Sequence, residues 1–236
     1  MNPPIAPSEV VDAISLARDL VFDFDGTLVD SNSIKRAAFE RCFQDFPGYR
    51  EEIGAYCSAN HHTPRWEKFR RVYEKVLRLP YTRQVENQLL HCFEQETTDR
   101  IAGSPETEGA SDFLKAVKQG HRIGLLSSTP HRVLLEILRL RQWESYFHWI
   151  QGAPVDKAQR LRSLSARQGQ AARALVFFGD TPEDAEAAYR AGCGFIHVGP
   201  AHEAPAGSLT IPDFRRLVSV RRWPSRRRSH NDIRLY

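Results

Sequence analysis

The chain has 236 residues, 41% of them hydrophobic and 26% charged, a length that can bury a core of its own without metal or disulfide staples. Its longest apolar candidate, Leu20 to Leu28, is interrupted by Asp23 and Asp25 and falls well short of the roughly 20 apolar residues of a membrane span. The formal net charge is +4, but residues 211–236 carry eight arginines against Asp213 and Asp232, and arginine outnumbers lysine throughout. A solvated or packed basic tail is therefore a simpler reading of that run than a grip on nucleic acid or anionic lipid.

In chain order, Met1-Asn2-Pro3-Pro4 followed by Glu9 and Asp12 has neither the basic start nor the apolar run of a secretory signal, and a cytoplasmic location is expected. Leu20 to Asp25 reads as a short buried strand that delivers carboxylates at its C-terminal edge. Ser31 is placed to cap a helix running toward Phe43, which closes near Pro47-Gly48. From there to about residue 100 the pattern is helical, with Phe69, Val72, Tyr73 and Val76, then Val85, Leu89 and Phe93, recurring three and four apart. A strand-to-helix alternation then begins. It comprises a helix over 113–117, a strand over 122–126, and a helix started by Thr129-Pro130. Strands over 146–150, 175–178 and 195–198 follow, with helices at 157–167 and 182–191 between them. That alternation specifies an α/β fold, a Rossmann-like, mainly parallel sheet covered by helices. The helical stretch interrupting it is an inserted α-helical cap. The expected division is 1–30 with 101–212 as core, 31–100 as cap and 213–236 as basic tail, with hinges near 29–32 and 100–105. Cys42, Cys57, Cys92 and Cys193 are far apart and form no CxxC pair, which argues against a disulfide framework or a structural zinc site and leaves them as small core residues.

Open sheets of this kind hold ligands beyond the carboxyl ends of their strands. There the sequence supplies Asp23 and Asp25, Ser127, Lys157, and Asp180 with Asp184 four residues on. Alternation along an extended segment puts Asp23 and Asp25 on one face, and neighbouring carboxylates repel unless a cation or proton lies between them. With Asp180 as a third hard oxygen donor and no histidine or cysteine beside it, the cation expected is Mg²⁺, with Asp23, Asp25 and Asp180 as its candidate ligands. Gly26-Thr27 permits a tight turn whose N–H groups approach an anion. Ser127 adds a neutral donor, and Lys157 a charge for a phosphoryl oxygen. No nucleotide-binding Gly-rich loop and no Gly-x-Ser-x-Gly elbow is present. His61 and His62, adjacent and without a third ligand, read as surface or substrate-contact residues. After Pro64, Arg65 and Lys68 fall three apart on one helical face, with Trp66 and Phe69 on another.

Asp23-Phe24-Asp25-Gly26-Thr27-Leu28-Val29-Asp30-Ser31, Ser127 after a hydrophobic strand, Lys157, and Gly179-Asp180-Thr181-x-x-Asp184 together resemble the four motifs of the haloacid dehalogenase superfamily of phosphohydrolases. The similarity extends over about residues 18–200 and points to the phosphoglycolate phosphatase-like and β-phosphoglucomutase-like group. The resemblance implies Mg²⁺-dependent hydrolysis of a small phosphomonoester. Asp23 attacks phosphorus, and Asp25 protonates the leaving alcohol and then activates water against the aspartyl-phosphate. A phosphomutase of the β-phosphoglucomutase type is the alternative. Ser128 stands where phosphoglycolate phosphatases often have asparagine, and Gly152 to Lys157 departs from their usual Lys-Pro approach, so the substrate stays open. The expected partner is a small phosphorylated metabolite, with neither membrane nor nucleic acid involved, for a monomer or homodimer. Arg65, Lys68, His61 and His62 are the candidates for selectivity from the cap.

Overall fold

The computed structural model describes residues 8–60, 63, 65–166, 174–220 and 223. Among them one six-stranded parallel sheet is built from β1 (Asp19–Phe22), β2 (Arg122–Pro130), β3 (Trp149–Ala153), β4 (Leu175–Gly179), β5 (Gly194–Val198) and β6 (Leu209–Ile211), in the order β3-β2-β1-β4-β5-β6. The central strands are buried on both faces, so after Asp19 their side chains are apolar without interruption. Leu20, Phe22, Val176 and Phe178 turn toward α1 (Ser8–Leu16), α6 (Ala110–Val117) and α7 (His131–Leu140). Val21, Leu126 and Phe177 turn to the opposite face, against α8 (Lys157–Ala166) and α9 (Pro182–Ala191). Phe22 and Phe178 are stacked at 4.5 Å between ring centres, and each such fully buried ring contributes about 1.5–3 kcal/mol.

Between β1 and β2 run α2 (Asn32–Arg41), α3 (Arg50–Ala59), α4 (Arg65–Arg71) and α5 (Arg83–Ala102). They close over an apolar cluster of their own, with Phe39, Phe43, Phe69 and Phe93 at its centre, and Phe39 stacks on Phe69 at 4.9 Å. The outgoing and returning connections lie side by side, where Asp30 N donates to Pro105 O at 3.0 Å and Val29 bridges Glu106. Arg141, at the end of α7, sends Nη1 to the carbonyls of Ile101, Ala102 and Ser104 at 3.0, 3.0 and 2.7 Å. It thereby satisfies acceptors that the end of α5 leaves open. Farther up α5, Glu94 is paired with Arg132 of α7.

Several elements differ from the sequence reading. β1 ends at Phe22, so the aspartates follow the strand rather than finish it. Residues 144–146 form a 3-10 turn, and β3 begins only at Trp149. β2 continues through Ser127 and Thr129 to Pro130. α1, β6 and a short α10 (Arg215–Val218) were not expected from the sequence. The break placed at 212 falls inside the core, because Phe214, Leu217 and Trp223 join the cluster beneath the sheet, with Trp223 edge-on to Phe113 at 5.6 Å. The arginines at 221, 222 and 226–228 lie outside the described residues. Among the described residues no helix is long and apolar enough to cross a membrane.

Candidate active site

Register brings the motifs together. Phe22 pairs with Leu125 on one side and Phe178 on the other, so Asp23, Ser127 and Asp180 emerge one or two residues past a common line at the carboxyl edge. Asp23 N donates to Phe178 O at 2.8 Å, fixing the first aspartate at the mouth between β1 and β4. Gly26 turns the chain with φ +78°, and a β-carbon there would meet Asp180 Oδ2 at 2.0 Å. Any larger residue would displace the acid. Gly179 is required for a similar reason, since a β-carbon would stand 2.5 Å from that of Asp184.

Asp23, Asp180 and Asp184 each place a carboxylate oxygen within 4.8 Å of the others. Lys157 Nζ lies 2.7 Å from Asp184 Oδ1 and 3.1 Å from Asp23 Oδ1, yet Asp23 Oδ1 accepts no well-formed hydrogen bond. Asp184 is further held by Thr181, whose Oγ1 donates to Oδ2 at 2.7 Å. Thr27 Oγ1 and Asn32 Nδ2 donate to the two oxygens of Asp180 at 3.0 and 3.3 Å. Burial pushes Asp23 up to about 8; Lys157 opposes the shift, and the neighbouring aspartates reinforce it. Burial and Asp184 push Asp180 up to about 6. Burial alone would lower Lys157, but Asp23 and Asp184 outweigh it and keep the amine protonated. One ammonium among these carboxylates leaves negative charge uncompensated. The donors are all hard oxygens, so the set fits a small divalent cation such as Mg²⁺.

Asp25 occupies different surroundings. Ser31 and Thr129 each donate to it at 2.7 Å, Ser127 stands at 3.4 Å, and Lys35 Nζ lies 2.6 Å from Oδ2. Burial would raise its pKa, but Lys35 and the hydroxyl donors overcome that and hold it below the usual carboxylate range. Two hydroxyls read from sequence as helix caps are thus committed elsewhere: Ser31 occupies the N-cap position of α2 without capping it, and Thr129 precedes α7 with its Oγ1 on Asp25. A buried carboxylate gains more from these donors than a solvated helix end does. Lys35 was missed altogether, although it lies four residues after Ser31 and so faces the same acid. Ser128 is exposed.

On α4, Arg65 lies over the Phe93 ring at 3.9 Å and Lys68 over Phe39 at 5.5 Å. Burial lowers the pKa of both, and Arg65 feels the charge of Asp25. Among the described residues neither has an ion-pair partner. Phe69 packs inward, but Trp66 is 45% exposed, under Arg70, rather than packed within the cap. His61, His62 and Pro64 lie outside the described residues. A groove of about 500 Å³ lined by Arg41, Phe43, Phe46, Arg50 and Arg100 contains none of these groups, and the chemistry is at the sheet edge.

A family model described as haloacid dehalogenase-like hydrolase matches residues 20–198. The phosphoglycolate phosphatase of Synechococcus elongatus is 27% identical over 176 residues, 73% of this chain and 79% of that protein. The fold is shared with a predicted phosphoglycolate phosphatase from Haemophilus somnus (TM-score 0.67, 18% identity, 86% and 97% of the two chains). It is also shared with the HAD hydrolase YfnB of Bacillus subtilis in a magnesium-bound form (TM-score 0.62, 16% identity, 85% and 96%).

Proposed function

We propose, from the premise that the chain belongs to the haloacid dehalogenase-like hydrolase family, that it is a phosphatase hydrolysing a small phosphomonoester through an aspartyl-phosphate on Asp23. The observation that carries the reading is the division between two acids only two residues apart. Asp23 sits among carboxylates, with Lys157 Nζ 3.1 Å from its Oδ1 as the one cation beside it among the described residues. Asp25 is surrounded by donors and directed toward the inserted helices. Asp23 and Asp180 are the carboxylates we assign to Mg²⁺, with the backbone carbonyl of Asp25. Bound there, the ion neutralises phosphoryl charge and keeps Asp23 ionised.

Asp23 Oδ attacks phosphorus while Lys157 and Ser127 face the phosphoryl oxygens, and Asp25 gives a proton to the departing alcohol oxygen. To carry that proton Asp25 must first part from Lys35, because the contact at 2.6 Å favours the anion. As a carboxylate Asp25 then takes a proton from the water that opens the aspartyl-phosphate. Lys157 is held for its task by Asp184, which we place outside the metal's direct ligands.

Residues 31–100 act, in this reading, as a cap over a core that runs on past residue 212 through Phe214, Leu217 and Trp223, in a cytoplasmic enzyme that is monomeric or a homodimer. Arg65 and Lys68, desolvated and without acidic partners among the described residues, favour substrates with a second anionic group beyond the ester oxygen. The test is phosphate release with Mg²⁺ across phosphoglycolate, sugar phosphates, nucleotides and p-nitrophenyl phosphate, repeated with Arg65→Ala and Lys68→Ala. Steady release from a monophosphate with no bisphosphate primer is expected, and isomerisation that depends on a primer would replace this reading with the phosphomutase. The variants should lose at least ~10-fold in kcat/KM on substrates that carry a second anionic group and little on p-nitrophenyl phosphate; unchanged ratios would return α4 to a purely structural role.

A further inference from the structure

Three of the four cysteines lie among the inserted helices, and two of them, fifty residues apart in sequence, come together there. Cys42 ends α2 and Cys92 lies within α5. Side chains on a helix lean toward its N-terminus, so the Cys92 sulfur covers the turn that carries Leu89. On that turn Cys42 Sγ donates to Leu89 O at 3.8 Å, and Cys92 lies near enough to help hold the Cys42 thiol protonated. Both are partly exposed, whereas Cys57 is buried in the same cluster and Cys193 packs at the end of α9 with its thiol on Ala188 O at 3.6 Å.

We propose that Cys42 and Cys92 form a reversible dithiol–disulfide site within the inserted helices, oxidised by a low-molecular-weight disulfide of the glutathione type. This goes beyond the hydrolytic reading and does not depend on it. Burial and the neighbouring thiol hold Cys42 protonated, so the first attack is assigned to Cys92, which loses its proton as its sulfur bonds to the small disulfide. It forms a mixed disulfide and expels one small thiolate. Cys42 then loses its proton and attacks the Cys92 sulfur, the protein S–S bond forms, and the second small thiol leaves. The two protein thiols are oxidised, and the small disulfide is reduced to two thiols. Closure brings the two sulfurs to a bond of about 2.05 Å. The bond would tie α2, which carries Lys35, to α5, which carries the Glu94 contact to α7.

The experiment exposes the reduced full-length chain to glutathione disulfide, blocks remaining thiols with iodoacetamide, and maps the products by intact mass and peptide digestion. The expected result is loss of two hydrogens, two cysteines protected from alkylation, and a cross-linked peptide containing Cys42 and Cys92. Cys42→Ser and Cys92→Ser should abolish the cross-link, and Cys57→Ser should retain it. Closing a loop of this length should also raise the melting temperature of the oxidised chain by roughly 5–10 °C. Alkylation of all four cysteines, a lasting glutathione adduct without a cross-link, or a bridge to Cys57 or Cys193 would overturn the proposal. Mapping of the unmutated chain decides the matter even where a variant fails to fold.

Discussion

Lys35→Met removes one charge from between α2 and Asp25 while keeping an apolar stem of similar length. Lys35 Nζ stands 2.6 Å from Asp25 Oδ2, with side chains 27% and 10% exposed. At an effective dielectric of about 20, attraction across that gap is roughly 6 kcal/mol. Desolvation of both ions and about 2 kcal/mol of lysine rotamer freedom reduce it, leaving a net of about 2 kcal/mol. Asp25 keeps Ser31, Thr129 and Ser127 when the amine is gone, so the loss should stay below the roughly 3–5 kcal/mol of a stranded buried charge. For a chain of this size the expected fall in melting temperature is roughly 4–8 °C. The assay is a double-mutant cycle in urea with Lys35→Met, Asp25→Asn and the pair, on the metal-free full-length chain. We expect a coupling of about 2 kcal/mol; losses that add within ~0.5 kcal/mol would show that the two side chains act independently and refute the reasoning.

Asp23→Asn should abolish turnover while leaving phosphate-ester binding measurable, and Asp25→Asn should cost ~100-fold or more in kcat; radiolabelled phosphate trapped on Asp23→Asn protein would contradict the assignment. Lys157→Ala should lower kcat/KM far more than Ser127→Ala, because the first removes a buried cation and the second a neutral donor, and steady-state kinetics on one substrate decides between them. The raised pKa values of Asp23 and Asp180, about 8 and about 6, set a pH dependence for the metal-free chain. Their contribution to stability is complete below the unfolded carboxylate value and is lost as pH rises through about 6 and then about 8. Mg²⁺ should therefore raise the melting temperature more at about pH 8.5 than at about pH 5, and calorimetry showing an equal or opposite trend would remove the ion from this cluster.

The sheet and the meeting of Asp23 with Asp180 and Asp184 at its carboxyl edge were legible because their signals are local. Alternating strand faces, glycines at forced turns and carboxylates just past apolar runs all follow from neighbours in sequence. The cage around Asp25 was not, because Ser31 and Thr129 have an ordinary local role as caps, and only tertiary burial of the acid redirects them. Lys35 was hidden in the same way, as one cation in a charged helix until α2 is laid against β2. The approach of Cys42 to the turn of α5 below Cys92 depends on the packing of α2 against α5, which no spacing rule for metal or disulfide motifs could reveal. β3 was placed three residues early because Tyr146 and Phe147 are as apolar as a strand requires.

The Arg141 clamp makes the exit from the inserted helices part of the core rather than a free joint. Its guanidinium, lying over Trp143 at 4.5 Å, fixes the carbonyls at residues 101, 102 and 104, and α5 runs unbroken into that clamp. Reorientation of α2–α5 over the sheet then has to slide or roll α5 along α7, with Glu94 and Arg132 exchanging partners on the way. That is shear across a packed seam rather than folding about a loop. Because close-packed seams move between discrete arrangements instead of deforming continuously, access to the aspartates would be set by a small number of preferred settings along one helix pair.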